Sequence, residues 1–322
     1  MIYTKLCELL KIQVPIVQAG MGPFTSAELV AAVSNAGGIG VLGAANRPIE
    51  GLNSEIKKIR QLTKHPFGVN FLVSNYSEEL FELALQSKVP LISTALGDPG
   101  KLVERVHDAG ALLMHMVHTR SLAVEAKKRE VDVIIAQGSE AGGYGQWVSS
   151  LPLIPQVVDA VKPVPILAAG GIADGRGMAA ALILGAEGVS MGTRFLASVE
   201  APIGDAWKNM IMGMESEDTV KVRFINEILP QGRLGYGTVP RSLNTDFIKK
   251  YEGDLDTVRS NAATLGGQIG KAIIERRFNE YVPFTGESGA LIRDILPAGE
   301  IVKKVVAEAR TCLDRAGKIG LR

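Results

Sequence analysis

The 322 residues hold little cysteine, no excess of either charge and no long apolar run. The only cysteines, Cys7 and Cys312, stand near opposite ends of the chain, which argues against a disulfide framework and fits a reducing compartment. With 35 basic against 34 acidic residues the net charge is +1, and like charges do not cluster, so nothing in the charge draws the chain to nucleic acid or to an anionic membrane. No apolar stretch approaches the roughly 20 residues needed to span a bilayer. The first residues, MIYTKLCELLKIQVP, lack the apolar core and cleavage site of a signal peptide. A soluble cytoplasmic protein is expected.

What is abundant is glycine, placed after short apolar runs. Candidate strands fall at 14–18, 39–42, 67–71, 90–94, 112–117, 131–136, 165–168 and 188–191. Each is nearly continuously apolar, as suits parallel strands buried on both faces. Helical stretches lie between them. Thr25 and Glu28 have the spacing of a capping box before one helix, and Gly37-Gly38 stops it. Asp98 with Pro99 opens another that ends at Gly110, and Asp174 opens a third that closes at Gly185. Eight strands alternating with helices predict a complete (β/α)8 barrel, an α/β TIM barrel, over 1–200. An open doubly wound sheet is the rival; the strand count and the glycines after the last two strands favour the barrel. Residues 201–290 read as a smaller helical subdomain over the barrel mouth, with helical patterns at 201–214, 244–252 and 260–278. Residues 291–322 carry a C-terminal helix, at 298–316, expected to pack on the barrel.

Barrel enzymes place their chemistry at the C-terminal strand ends. After the first strand, Gly20, Met21 and Gly22 let backbone approach a planar ligand, though a Gly-rich turn beneath a helix reads the same way. Asn70 in the third strand offers donors and an acceptor, or merely caps the strand. The sixth strand runs into Gln137-Gly-Ser-Glu-Ala-Gly142-Gly-Tyr144-Gly, a loop able to hug a ligand. Gln137 points toward the mouth, whereas Glu140 reads as a solvated loop charge. The seventh and eighth strands end in Ala169-Gly170-Gly171 and Gly192-Thr193-Arg194. Paired backbone N–H groups there, with the N-terminus of a short helix, predict an anion nest for a phosphate. Arg194 either adds charge to it or braces a neighbouring loop.

The segments PIVQAGM, NAGGIGVLG, PFGVN, QGSEAGG, PILAAGGIADGRGMAAALILGAEGV and SMGTRFLAS occur in order between residue 15 and about residue 200. Together they resemble the nitronate monooxygenase family, formerly 2-nitropropane dioxygenases, and its relative, the flavin-type enoyl-acyl-carrier-protein reductase. The resemblance implies a barrel that binds FMN without a covalent link. It implies FMN contacts at Gly20, Met21, Gly22, Asn70, Gln137 and Gly142, with Ala169, Gly170, Gly171, Gly192 and Thr193 at the phosphate. Inosine-monophosphate-type dehydrogenase barrels share the phosphate signature but need a cysteine in the loop after strand six, and none is there.

One departure is instructive. Both relatives carry a catalytic His in the strand-six loop where this chain has Tyr144. A phenol, with a pKa of about 10, donates protons but is a poor base. An alkyl nitronate is already an anion, so its oxidation needs no base; deprotonating a neutral nitroalkane does. Tyr144 is alternatively a loop aromatic packed near Trp147. Four histidines exist, and of these His115, then His118, lie near enough to the mouth to replace the missing group; His65 and His107 do not. A strand histidine is, however, more often simply hydrogen-bonded in the core. No set of residues has metal-ligand spacing, and none is needed where a flavin does the redox work. The leading expectation is an FMN oxidoreductase that denitrifies alkyl nitronates with O2. An NAD(P)H-dependent FMN reductase of enoyl thioesters or quinones comes second, and a barrel that binds FMN or a sugar phosphate without turnover comes third. Substrate identity lies in the cover, where the resemblance is thinnest, and a homodimer is left open.

Overall fold

The computed structural model describes residues 2–229 and 237–319. Eight parallel strands close into a barrel in the order β1 (Ile16–Gln18), β2 (Ile39–Gly43), β3 (Phe67–Leu72), β4 (Leu91–Ala95), β5 (Leu112–Val117), β6 (Val133–Gln137), β8 (Ile166–Ala169) and β9 (Gly188–Met191). This is the (β/α)8 architecture expected from the apolar runs. Alternation along each strand splits the core into two layers. Val17, Ile39, Val41, Leu91, Met114, Val133, Ile135 and Leu167 fill the barrel, and Leu6 and Leu10 of the helix Lys5–Leu10 join that cluster. The opposite faces, with Leu42, Val69, Ile92, Leu113, Ile134 and Val189, pack against the surrounding helices.

The helix ends follow local chemistry, with two shifts. Ser26, not Thr25, caps the helix Ala27–Asn35 by accepting from the Leu29 N–H. Thr25 instead accepts from the Gly43 N–H at 2.8 Å and donates to the Gly22 carbonyl, tying the β1 and β2 loops together. The helix expected at Asp98-Pro99 starts later and spans Leu102–Asp108. Asp174 does cap Gly175–Ile183, accepting from the N–H groups of Arg176 and Gly177. Gly175 there is indispensable, because a Cβ would overlap the backbone of Ala309 in the helix Ala298–Ala316. That close crossing docks the last helix on the barrel layer, and Glu308 accepts the Gly175 N–H at 3.0 Å.

The segment after β9 contains the helices Asp205–Gly213, Asp246–Tyr251, Leu255–Ser260 and Ala262–Ile274. It also holds two short strands, β10 (Thr219–Lys221) and β11 (Val239–Leu243). With β7 (Gly143–Gly145), from the loop after β6, they make an antiparallel sheet in the order β10-β11-β7. Periodicity has no purchase on such short pieces, one of them interrupted by Pro240 and another reading Gly-Tyr-Gly. The sheet ties the cover to the strand-six loop, and Arg241 reinforces the tie. Its Nε donates to the Ser139 carbonyl at 3.0 Å, and its Nη2 pairs with Glu287 at 2.8 Å. Beneath the cover, buried Trp207 stacks edge-on to Phe24 at 5.0 Å and donates to Thr285 Oγ1 at 2.9 Å.

Candidate active site

The C-terminal strand ends form a ring of contacts around the barrel mouth. Gly20 lies so close to Asn70 on β3 that a Cβ on it would overlap that side chain. Asn70 is itself buried, and its Nδ2 donates to Ser93 Oγ at 3.1 Å. Met21 reaches across to β9, its Sδ 3.5 Å from where a Cβ on Gly192 would stand. Gly22, with φ +53, turns the chain into the short helix Gly22–Phe24.

The glycines after β8 and β9 form the second half of the ring. Gly170 and Gly171 are consecutive left-handed residues, φ +94 and +74, a conformation that turns successive N–H groups to one side. The N–H groups of Gly170, Gly171, Gly192 and Thr193 have no acceptor among the described residues. Thr193 starts the helix Thr193–Leu196, and its hydroxyl accepts from the Gly286 N–H at 3.0 Å. Gly142 fits against the same segment, since a Cβ on it would stand 2.7 Å from the Gly286 nitrogen. Ala169 sits at the end of β8, its carbonyl accepting from the Gly138 N–H at 2.9 Å.

Glu140 is not the solvated charge expected. Its carboxylate accepts from the Ser150 N–H at 2.9 Å and the Ser150 hydroxyl at 3.0 Å, capping the helix Ser150–Val161. Arg194 turns away to pair with Asp294 at 3.0 Å while buried, so it braces the chain after β9.

The two histidines part company. On β5, Met114 and Met116 face the barrel interior and Leu113 and Val117 the helices. By alternation His115 falls on the outer face, where its Nδ1 lies 2.8 Å from Thr94 Oγ1. The structure does not bring His115 into the mouth. His118, just beyond the strand, does reach it: its Nε2 is 2.8 Å from Gln137 Oε1, and the ring also bonds the Tyr144 backbone. Tyr144 packs edge-on to Phe284 at 5.6 Å, not on Trp147, and its buried hydroxyl has no partner among the described residues.

Burial pushes both imidazoles down to about 4; His118 adds to the effect at His115, and the Gln137 bond opposes it at His118. Unfolded imidazoles titrate near pH 6.5. Between about pH 6.5 and 4 the unfolded chain therefore binds protons that the folded chain refuses, and stability falls as pH falls. His115→Leu should flatten that acid slope by roughly 1 kcal/mol per pH unit, read from urea midpoints at several pH values, and leave turnover near wild type. An unchanged slope would show that His115 is not held neutral in the core. Burial also holds the Tyr144 phenol well above its ordinary pKa. Among the described residues no cluster of three or more His, Cys, Asp or Glu is arranged to hold a metal, and no helix is long and apolar enough to cross a membrane.

Known proteins are similar to the chain in sequence and in fold. The chain matches the family model for nitronate monooxygenase over residues 3–81 and 76–308. It is 32% identical to a probable nitronate monooxygenase of Staphylococcus aureus, across 81% of this chain and 88% of that protein. It is 36% identical, across 77% of this chain and 68% of the relative, to a (3aS,4S,5R,7aS)-5-hydroxy-7a-methyl-1-oxo-octahydro-1H-indene-4-carboxyl-CoA dehydrogenase of Rhodococcus jostii. Among solved structures, FabK from Thermotoga maritima superposes with a TM-score of 0.89 at 33% identity, covering 98% of this chain and 99% of that one. A nitroalkane oxidase from Streptomyces ansochromogenes superposes with a TM-score of 0.84 at 26% identity, covering 97% and 99%. With the barrel, the glycine-rich mouth and the family match over most of its length, the chain is an oxidoreductase that belongs to the nitronate monooxygenase family.

Proposed function

We propose that this oxidoreductase binds FMN and oxidises alkyl nitronates with O2. The observation that carries the reading is the set of four backbone N–H groups at the barrel mouth, at Gly170, Gly171, Gly192 and Thr193, that have no acceptor among the described residues. Such a cradle fits a phosphate, whose oxygens accept several donors at once and favour the partial positive charge of a helix start. Ala169 and Gly142 would complete its walls. Gly20, Met21 and Gly22 would border the ring system, the absence of a Cβ on Gly20 leaving room for Asn70 beside it, and the amides of Asn70 and Gln137 would hydrogen-bond the ring edge and ribityl chain. FMN held by these residues would supply the redox chemistry between the nitronate and O2.

The chain's own contribution is to orient substrate, exclude water and hold a proton. Tyr144, backed by Phe284, keeps its buried hydroxyl protonated at neutral pH, and on this reading a substrate oxygen would be the acceptor that hydroxyl lacks among the described residues. It cannot take a proton, and His118, held to about 4, is a weak acceptor. That polarity suits a substrate that arrives already ionised, which a nitronate does and a neutral nitroalkane does not. Tyr144→Phe is expected to leave unliganded stability unchanged or raised by about 1 kcal/mol, because it removes an unpartnered buried hydroxyl. Propyl nitronate turnover should fall at least about tenfold, equivalent to one lost hydrogen bond of about 1.4 kcal/mol in the transition state. Full turnover in that variant would remove Tyr144 from the mechanism.

The similarity to FabK and to the CoA dehydrogenase favours a second reading, NAD(P)H-dependent reduction of an enoyl thioester or quinone at the same site. Anaerobic mixing separates the two. Propyl nitronate is expected to bleach the visible flavin band; bleaching by NADH or NADPH and not by nitronate would install the second reading.

A further inference from the structure

Lys221, at the end of β10, carries a charge that the function outlined above does not use. Its side chain crosses the small sheet toward the mouth. A Cβ on Gly145 would stand 3.6 Å from Lys221 Nζ and 3.8 Å from both Gln137 Oε1 and His118 Cδ2, so an ammonium, an amide and an imidazole converge on one spot. Glycine at that position, buried in β7, keeps a side chain out from between them. The ammonium donates to the Gln146 carbonyl at 2.9 Å and the Val239 carbonyl at 3.3 Å, which leaves one of its three protons. No carboxylate among the described residues comes within ion-pair distance of it. Trp147 lies 5.4 Å from Nζ and shields it on the exposed side.

The surrounding charges sharpen the point. Arg241, opposite Lys221 on β11, is engaged with Glu287, and Glu140 caps a helix, so both nearby carboxylates have other partners. Arg223 lies over the Trp147 ring at 5.1 Å. His118 is neutral at pH 7, and Tyr144 is protonated. A half-buried cation without a counter-ion is costly unless something anionic offsets it.

We propose that Lys221 is the specificity-determining charge of this site: it holds the anionic end of the substrate, and it selects a planar two-oxygen anion over its neutral isostere. The inference rests on the proposed site at the barrel mouth and names the class of molecule the site takes. Because burial and Arg241 lower Lys221 to about 8, with Glu287 and Glu140 opposing, the selection should be full near neutral pH and fade as pH rises through about 8.

Butanoate and butanamide make the comparison without turnover, since a carboxylate has the planar two-oxygen charge of a nitronate. Both would be titrated by calorimetry into FMN-loaded wild type, Lys221→Met and Lys221→Arg at pH 7. Wild type is expected to prefer butanoate by about tenfold or more, the arginine variant to keep most of that preference, and the methionine variant to lose it with its butanamide affinity intact. The intact butanamide affinity guards against a folding defect. Equal preference in wild type and Lys221→Met, or no preference in wild type, would overturn the proposal. A wild type that prefers butanoate but does not oxidise propyl nitronate supports Lys221 and retires only the nitronate reading.

Discussion

Replacing Gly171 by Asp is expected to give a folded protein that purifies without flavin. Gly171 is left-handed, at φ +74, and a Cβ there meets nothing nearer than Glu140 Cβ at 3.7 Å. Asp is among the side chains that tolerate this conformation, so the strain is roughly 1 kcal/mol and the barrel survives it. The Cβ faces the Glu140 side chain, so the new carboxylate adds a second negative charge beside Glu140, on a residue whose own N–H belongs to the cradle of Gly170, Gly171, Gly192 and Thr193. That charge repels a phosphate held at those donors and weakens its hydrogen bonds. Losing two charge-assisted hydrogen bonds costs about 3 kcal/mol or more, which is a rise in FMN dissociation constant of at least about 100-fold. Flavin content after desalting, with a thermal melt to prove folding, reads this directly. A folded variant holding one FMN per chain would remove these residues from the cofactor site.

Gly20→Ala is the second large effect, and it acts through packing. The new Cβ would overlap Asn70, and neither partner has room to retreat: Gly20 follows a barrel strand and Asn70 lies within one. Forcing a methyl into such a contact costs about 1–3 kcal/mol, and the displaced Asn70 amide also loses its line to Ser93. A lower urea midpoint and weaker FMN binding should appear together. Asn70→Gly removes the overlapping atom, so the double variant should recover part of the stability lost in Gly20→Ala, with a coupling of about 1 kcal/mol or more. Strictly additive losses would mean that the two residues do not touch.

The barrel was legible because parallel strands buried on both faces become apolar runs, and eight such runs can be counted. The glycine cradle was legible for a different reason: its residues are adjacent in sequence, so Gly170-Gly171 and Gly192-Thr193 carry their conformation locally. The two histidines show where that stops. On β5 both faces are apolar, so the pattern does not reveal which parity faces inward, and the sequence favours His115 over His118. Counting from Met114 and Met116 puts His118 on the interior side, but only the closed barrel tells which side that is. Lys221 was invisible for a stronger reason. Its neighbours Gly145, Gln137 and His118 come from β7 and from the ends of β5 and β6, and a three-residue strand brings it to them. The cap of Ala27–Asn35 falls one residue later than the sequence suggests, because Thr25 and Ser26 are chemically interchangeable there until the Gly43 N–H claims Thr25.

The sharpest comparison is between FMN and riboflavin, which differ only by the phosphate. Apo protein prepared by removing flavin would be titrated with each, following flavin fluorescence. If backbone amides beyond β8 and β9 grip the phosphate, FMN should bind at least about 100-fold more tightly, a difference of about 2.7 kcal/mol, and the gap should close in Gly171→Asp. Equal affinities for the two flavins in the wild-type chain would contradict that assignment.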